Sequence, residues 1–207
     1  MRNFLIFGLV ALTLAACARP QEPNADAATV AAVRYREPGP ATLTLYTMVN
    51  NRSGSGGHSS LMINASERII FDPAGSFKAD IIPEQNDVLF GITPPAEQAY
   101  RRSHARETHH VLVQHVEVTA EQAQLAYNMA RQMGPIPGAY CANATSRILS
   151  SIPGYEDIKV TFYPTKLAEQ FGAKPGVVSE RYYENDSGDL QLGIAQNNAA
   201  LNATVVE

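Results

Sequence analysis

The chain has 207 residues, of which 45% are hydrophobic and 17% are charged, and such fractions are typical of one folded domain with short additional segments. Sixteen Lys and Arg residues against 20 Asp and Glu residues give a formal net charge of −4, with no long run of either sign. Because nucleic-acid binding needs a basic surface, this charge balance argues against that class of function.

Residues 1–16 have the build of a secretory signal, with a basic start, an apolar run over 4–14 and small residues before Cys17. The run is shorter than the roughly 20 apolar residues of a membrane span. Residues 14–17, Leu-Ala-Ala-Cys, resemble the bacterial lipobox. The resemblance implies a lipoprotein of the bacterial cell envelope that faces the periplasm, anchored through lipid on Cys17, and Ala18 favours the outer membrane. The alternative is an ordinary signal with a chance cysteine.

The segment that follows the cysteine differs in composition from the rest of the chain. Residues 17–40 are rich in Ala, Pro, Asn and Glu without a sustained period, which predicts a lipid-anchored flexible tether. A single domain is expected over 41–175. At its start, alternating residues predict a strand over 42–47, and a hairpin is expected from strands at 58–63 and 68–72.

Further along the chain, strands and helices follow one another. A short strand is predicted near 88–92, a helix from Thr93-Pro94, and a strand over 109–118. Thr119 and Gln122 form a capping-box signal for a helix that ends near residue 133.

The last part of the domain contains the second cysteine. Cys141 begins a short amphipathic helix and lies on its inward side, a last strand is expected over 158–162, and a last helix over 165–171. The polar, Asn-rich residues 176–207 predict a poorly ordered tail. The expected fold class is α+β, with a mostly antiparallel sheet and helices packed on one side.

If Cys17 is lipidated, Cys141 has no partner for an internal disulfide, and it is either an inert buried thiol or a reactive one. A reactive thiolate is favoured by the positive end of a helix and by a neighbouring histidine. Of five histidines, His58 is the best candidate base, because it follows a Gly-rich loop at the start of a strand. The hairpin places Asp72 opposite His58, where its carboxylate can orient the imidazole.

Three short boxes carry a resemblance to a known group of enzymes. Residues 57–63 contain His58, residues 69–73 contain Asp72, and residues 140–143 contain Cys141. In this order they resemble the circularly permuted papain-like enzymes of the NlpC/P60 superfamily, which include the lecithin-retinol acyltransferase-like proteins. The resemblance implies a permuted papain-like fold with Cys141 as nucleophile, His58 as base and Asp72 as orienter. It also implies that the Cys141 backbone amide stabilises the oxyanion, and Tyr140 is a tentative second contributor.

The expected function is a periplasmic cysteine hydrolase of amidase or peptidase type, acting on an amide or ester bond, with cell-wall peptides as the available substrate. The alternatives are a lipid acyl hydrolase or acyltransferase, and a non-catalytic envelope lipoprotein that uses the fold for binding. No cofactor or metal is expected, because His109 and His110 point to opposite faces of a strand and no zinc-binding motif is present. The oligomeric state is left open.

Overall fold

The computed structural model describes residues 24–203 and has an α+β architecture. Its elements, in chain order, are α1 (Ala27–Ala32), β1 (Ala41–Asn50), β2 (Gly56–Asn64), β3 (Arg68–Phe71), β4 (Glu84–Gln85), β5 (Val88–Leu89), α2 (Pro94–His104), β6 (His109–Val118), α3 (Ala120–Gln132), α4 (Cys141–Ser150), α5 (Pro164–Gly172), β7 (Val178–Tyr182) and α6 (Leu190–Ala203). The expected α+β class is therefore confirmed.

The seven described strands form one sheet in the order β4-β5-β3-β2-β1-β6-β7, and all neighbouring pairs are antiparallel. The two long strands β1 and β6 pair along their whole length, with Leu45 opposite Gln114. On the other side of β1, Leu45 lies opposite Leu61 of β2. The predicted first strand, the hairpin and the strand over 109–118 are confirmed.

Both faces of the sheet are covered by helices, and the first eight residues of β1 are buried whichever face their side chains are on. Leu43 and Leu45 pack on one face with residues of α3, α4 and α5. Tyr46 and Met48 pack on the other face with residues of α2 and α6. The expectation that helices pack on one side was wrong, because a strand that is buried on both faces needs cover on both.

The predicted strand over 158–162 does not form. Ile158 is buried, whereas Val160 and Phe162 are 44% and 50% exposed. The backbone N–H of Thr161 donates to Ser146 Oγ of α4 rather than to a neighbouring strand. The segment is therefore a loop held against α4, in which Ile158 is buried while Val160 and Phe162 are exposed.

The two segments that flank the domain are more structured than their composition indicated. In the predicted tether, Val30 of α1 enters the core, and the backbone N–H of Arg68 donates to the Tyr35 carbonyl. In the predicted polar tail, β7 pairs with β6, and α6 packs against α2. Only a few apolar residues, such as Leu201, attach these segments to the core. Their sequences therefore show little hydrophobic periodicity.

The predicted signal and the lipidation site Cys17 lie outside the described residues. Over residues 24–203, no helix has the length and apolar character that crossing a membrane requires.

Candidate active site

Cys141 is the first residue of α4 and is 7% exposed. The inward side of α4 continues through Thr145, Ile148 and Leu149, which are fully buried, so the predicted amphipathic helix is confirmed. Packing of this side against β2, a central strand, fixes the helix and places the sulfur beside His58 and Ser59 near the start of that strand. The positive end of the helix stabilises a thiolate there.

The predicted base and orienter are in direct contact. His58 Nε2 lies 2.7 Å from Asp72 Oδ1, and Asp72 is 4% exposed. Their relation across the hairpin differs from the prediction by two residues. Leu61 pairs with Phe71, so Asp72 follows the strand end in line with Ser60, and His58 reaches it diagonally.

His58 and Cys141 form the second contact of the candidate triad. Burial lowers the pKa of His58, but the hydrogen bond and charge of Asp72, together with the Cys141 thiolate, outweigh burial and raise this pKa from 6.5 to about 10. Because Nε2 is held by Asp72, Nδ1 is the ring nitrogen left for the sulfur. The three predicted catalytic side chains thus meet in one place.

The sulfur itself is surrounded by groups that favour its negative form. Burial raises the pKa of the Cys141 thiol, but the hydrogen bond and charge of His58 lower it below the ordinary value of 9.0. Backbone N–H groups of Ser59 and Ala142 act in the same direction. The surroundings of the sulfur therefore favour its thiolate form more than water does.

Tyr100 of α2 is a site residue that sequence reasoning missed. Its hydroxyl lies 2.7 Å from Asp72 Oδ1 and 2.7 Å from Ser60 Oγ, and the whole side chain is buried. By donating to the oxygen that also holds His58, it orients the carboxylate. Burial raises the pKa of Asp72, whereas the bonds to His58 and Tyr100 are among the interactions that keep it below 3.8.

His104 lies one turn after Tyr100 and covers the imidazole of His58. The two rings stack with centroids 6.1 Å apart and an angle of 14° between their planes. Burial lowers the pKa of His104 to about 4, so this ring is neutral near pH 7. Its Nδ1 lies 2.8 Å from the Tyr100 carbonyl, and this contact fixes the orientation of the ring. The ring thus supports the His58 imidazole as a flat, uncharged surface.

Asp87 connects the loop that carries Asp72 to the loop that leads to Cys141. Its Oδ2 accepts from the backbone N–H of Ala74 at 3.3 Å and from that of Ile136 at 2.6 Å. Its carbonyl accepts from the Asp72 N–H at 2.8 Å. The residue adopts a positive φ of 64° in the turn between β4 and β5, and nothing in the local sequence indicated these distant contacts.

The tentative oxyanion residue Tyr140 precedes Cys141 and is 45% exposed. Its ring packs edge-on against Phe162 at a centroid distance of 5.1 Å, so the two rings form an aromatic surface beside Cys141. The oxyanion role of Tyr140 stays a prediction. The Cys141 backbone N–H is a free first-turn donor by helix geometry and is suited to that role.

Within residues 24–203, no group of three or more His, Cys, Asp or Glu side chains is arranged to hold a metal ion. His109 Nδ1 lies 2.9 Å from Thr108 Oγ1, and His110 Nδ1 lies 2.8 Å from Asn51 Oδ1. The arrangement at Cys141 is suited to nucleophilic attack on a carbonyl.

Comparisons of the chain with protein-family models, with curated protein sequences and with solved structures found no match.

Proposed function

We propose that the protein is a cysteine hydrolase of amidase or peptidase type with Cys141, His58 and Asp72 as its catalytic triad. The observation that carries the proposal is the chain of contacts from a helix-terminal thiol to His58 and on to Asp72 at 2.7 Å. A buried structural cysteine needs neither a histidine nor a carboxylate behind it, whereas a nucleophile needs both.

Acylation begins with the thiolate and the imidazolium already formed. The Cys141 sulfur attacks the carbonyl carbon, and the electron pair of the C=O bond moves to the oxygen, which the Cys141 backbone N–H stabilises. When the intermediate collapses, the bond to the leaving group breaks. His58 gives its proton to the departing nitrogen or oxygen, which leaves a thioester and a neutral imidazole.

Deacylation reverses these roles. His58 takes a proton from water, the hydroxide oxygen attacks the thioester carbon, and the carboxylic acid leaves while Cys141 returns as a thiolate. Asp72 holds the ring in one orientation through both half-reactions and stabilises its positive form. The Asp72 carboxylate in turn is held by Tyr100.

The setting of the reaction is part of the proposal. The order histidine, aspartate, cysteine supports a permuted papain-like fold of the NlpC/P60 type, and the lipobox-like residues 14–17 support a lipid anchor on Cys17 in the bacterial envelope, facing the periplasm. Peptides of the cell wall are the amide-rich substrate in that compartment. The outer membrane is the proposed site of anchoring.

A second candidate function is favoured by one observation. Four of the large hydrophobic side chains that are exposed in the described residues lie just before Cys141 or in the loop before α5, namely Tyr140, Val160, Phe162 and Tyr163. An apolar surface next to a nucleophile suits a fatty acyl group, which favours a lipid acyl hydrolase or an acyltransferase.

The acyl-enzyme is the species that tests the proposal. Full-length protein with Cys17→Ser, in which Cys141 is the only thiol, is mixed with p-nitrophenyl acetate, and the intact mass and the release of nitrophenol are followed. We expect a burst of one equivalent and an acetyl group on Cys141, both absent in Cys141→Ser. His58→Ala should abolish the burst, whereas His115→Ala on β6 should retain it. Acetylation that persists in Cys141→Ser would contradict the proposal.

A further inference from the structure

The loop between α4 and α5 presents large apolar side chains to solvent near the nucleophile. Phe162 and Tyr163 are 50% and 69% exposed, and the Phe162 ring packs against Tyr140, the residue before Cys141. We call Tyr140, Phe162 and Tyr163 the aromatic patch. Large apolar side chains that are exposed next to one another mark surfaces that meet a partner or a membrane.

The backbone of this loop is fixed, so the aromatic patch is preformed. The Thr161 N–H donates to Ser146 Oγ of α4 at 3.1 Å. Gln170 of α5 holds the start of the loop with both ends of its amide. Its Oε1 accepts from the Lys159 N–H at 2.6 Å, and its Nε2 donates to the Lys159 carbonyl at 3.1 Å. A loop held in this way presents its side chains with little ordering cost on binding.

The charge around the aromatic patch is positive, although the whole chain carries a net charge of −4. Lys159 and Lys166 are exposed on either side of its loop residues. No Asp or Glu occurs over residues 132–155 or 158–168. Beyond the loop, Glu169 pairs with Lys166 at 3.0 Å in an exposed ion pair. Aromatic side chains flanked by lysines are typical of surfaces that lie in the headgroup region of an anionic bilayer.

The described chain begins close to the loop that leads to the nucleophile. Asn24 exchanges two hydrogen bonds with Asn86, at 2.8 and 2.9 Å. The next residue, Asp87, accepts from the Ile136 N–H. Seven residues lead from Cys17 to Asn24, and such a stretch spans at most about 25 Å in any conformation. A lipid on Cys17 therefore keeps this part of the domain close to the bilayer.

We propose that the aromatic patch docks the domain on the surface of an anionic lipid bilayer, with its rings at the headgroup level and Lys159 and Lys166 at the lipid phosphates. The inference goes beyond the proposed function and takes from it only the lipid anchor on Cys17. The anchor strengthens a weak surface contact, because it raises the local concentration of the patch at the bilayer. Docking holds the Cys141 thiol beside the membrane.

Vesicle binding by protein without its lipid tests this surface. The chain has no tryptophan, so Phe162→Trp adds a single indole fluorophore to the aromatic patch. In full-length protein with Cys17→Ser, its emission should shift to the blue when vesicles of phosphatidylcholine with about one third phosphatidylglycerol are added. Leu192→Trp is the matched control, because Leu192 is 47% exposed on α6, on the opposite face of the sheet. Its emission should not shift.

Substitutions identify the groups responsible. Phe162→Ser combined with Tyr163→Ser should lower the partition coefficient in vesicle sedimentation by about tenfold or more. Lys159→Gln should lower it by about fivefold with the anionic vesicles, and should leave it unchanged with phosphatidylcholine alone. Leu192→Ser should have no effect with either. All these proteins share residues 1–23 with Cys17→Ser, so the differences between them report on the substituted side chains.

Equal partitioning of the Cys17→Ser protein and its double variant, absence of vesicle binding, or an equal loss in Leu192→Ser would overturn the membrane surface. Self-association through the same side chains without vesicles would assign the patch to a second copy of the chain and overturn it as well. The acyl-enzyme burst is measured without vesicles. Its failure with vesicle binding intact would therefore overturn the hydrolase alone, and a burst without vesicle binding would overturn the docking surface alone.

Discussion

Cys141 owes its proposed reactivity to its neighbours, because a free, buried cysteine is by itself an ordinary core residue. The helix terminus, His58 and two backbone N–H groups act together to lower the thiol pKa against the effect of burial. His58 in turn is held by Asp72, and Tyr100 acts on it through Asp72.

Tyr100→Phe removes one hydroxyl and leaves the packing of the ring unchanged. Since the hydroxyl donates to a buried carboxylate, we expect a loss of about 1.5–3 kcal/mol in the free energy of unfolding and a higher apparent pKa of Cys141. Urea unfolding and alkylation rates measure these two effects. Tyr35→Phe, which loses a hydroxyl bond to Glu37 far from the thiol, should leave the Cys141 pKa unchanged.

The His58–Asp72 pair predicts a characteristic pH dependence of stability. The pKa of His58 is raised to about 10, so its contribution is complete below pH 6.5 and is lost as the pH rises towards 10. The pKa of Asp72 is lowered from 3.8, so its contribution is present above that value and is lost in acid.

Asp72→Asn should therefore destabilise the protein most between about pH 4 and 6.5 and progressively less towards pH 10. Urea unfolding of wild type and variant at pH 5, 7 and 9.5 checks the trend. Asp157→Asn, which disturbs only an exposed ion pair with Lys174, is the control and should show a small difference at each pH. A difference for Asp72→Asn that grows with pH would contradict the assignment.

At the scale of single residues, the triad could be predicted because its members lie in short boxes at recognisable strand and helix starts. Cys141 and His58 were placed by local pattern alone. Tyr100, His104 and Asp87 could not be predicted in the same way. They come from α2 and from the β4–β5 turn, and their contacts to the site depend on how these elements dock.

The turn between β4 and β5 holds two loops of the site in place through one carboxylate. Asp87→Ala removes the acceptor for the Ala74 and Ile136 N–H groups, while the sheet pairing around it uses backbone atoms and should persist. We expect a thiol that is alkylated at least tenfold more slowly at pH 7, with little change in far-UV circular dichroism. Asp157→Ala is the matched control, and an equal fall in its rate would contradict the role of Asp87.

Helix α6 covers Arg106 closely, and a glycine makes this approach possible. A Cβ at Gly193 would lie 1.1 Å from Arg106 Nη2, so either the helix or the buried guanidinium must move in Gly193→Ala. We expect a loss of about 1–3 kcal/mol, typical of overpacking, in thermal or urea unfolding. Gly138→Ala has open space around the new methyl group and should change stability by less than about 0.5 kcal/mol.

Helices and strands were predicted correctly where the sequence showed a strong hydrophobic period or a helix-capping residue. The capping box of Thr119 and Gln122 forms as expected, and Thr93 caps α2. Prediction failed over 158–162, a loop in which Val160 and Phe162 are exposed, and after residue 176, where the exposed strand β7 has no apolar pattern. Hydrogen-bonded pairing with the neighbouring strand stabilises β7, and the sequence of one segment alone does not show which strand it will pair with.

At the scale of the whole molecule, Cys141 and the residues that support His58 come from helices on opposite faces of the sheet. Helix α4 brings Cys141 to one face, while α2 brings Tyr100 and His104 to the other, and His58 at the start of β2 is shared between them. The proposed catalytic arrangement therefore requires the helices on both faces to be packed against the sheet. The sequence predicted an antiparallel sheet. The helices on both of its faces could be inferred only from which residues of β1 are buried in the structure.

The pH dependence of Cys141 alkylation tests this account most directly. Iodoacetamide reacts with full-length protein carrying Cys17→Ser, as wild type at the site and as His58→Ala, Asp72→Asn and His115→Ala. We predict an apparent pKa well below the value of about 8.5 for a free thiol, a return towards that value in the first two variants, and no change in His115→Ala. A thiol that titrates normally in all four proteins, or reacts only after unfolding, would contradict the account.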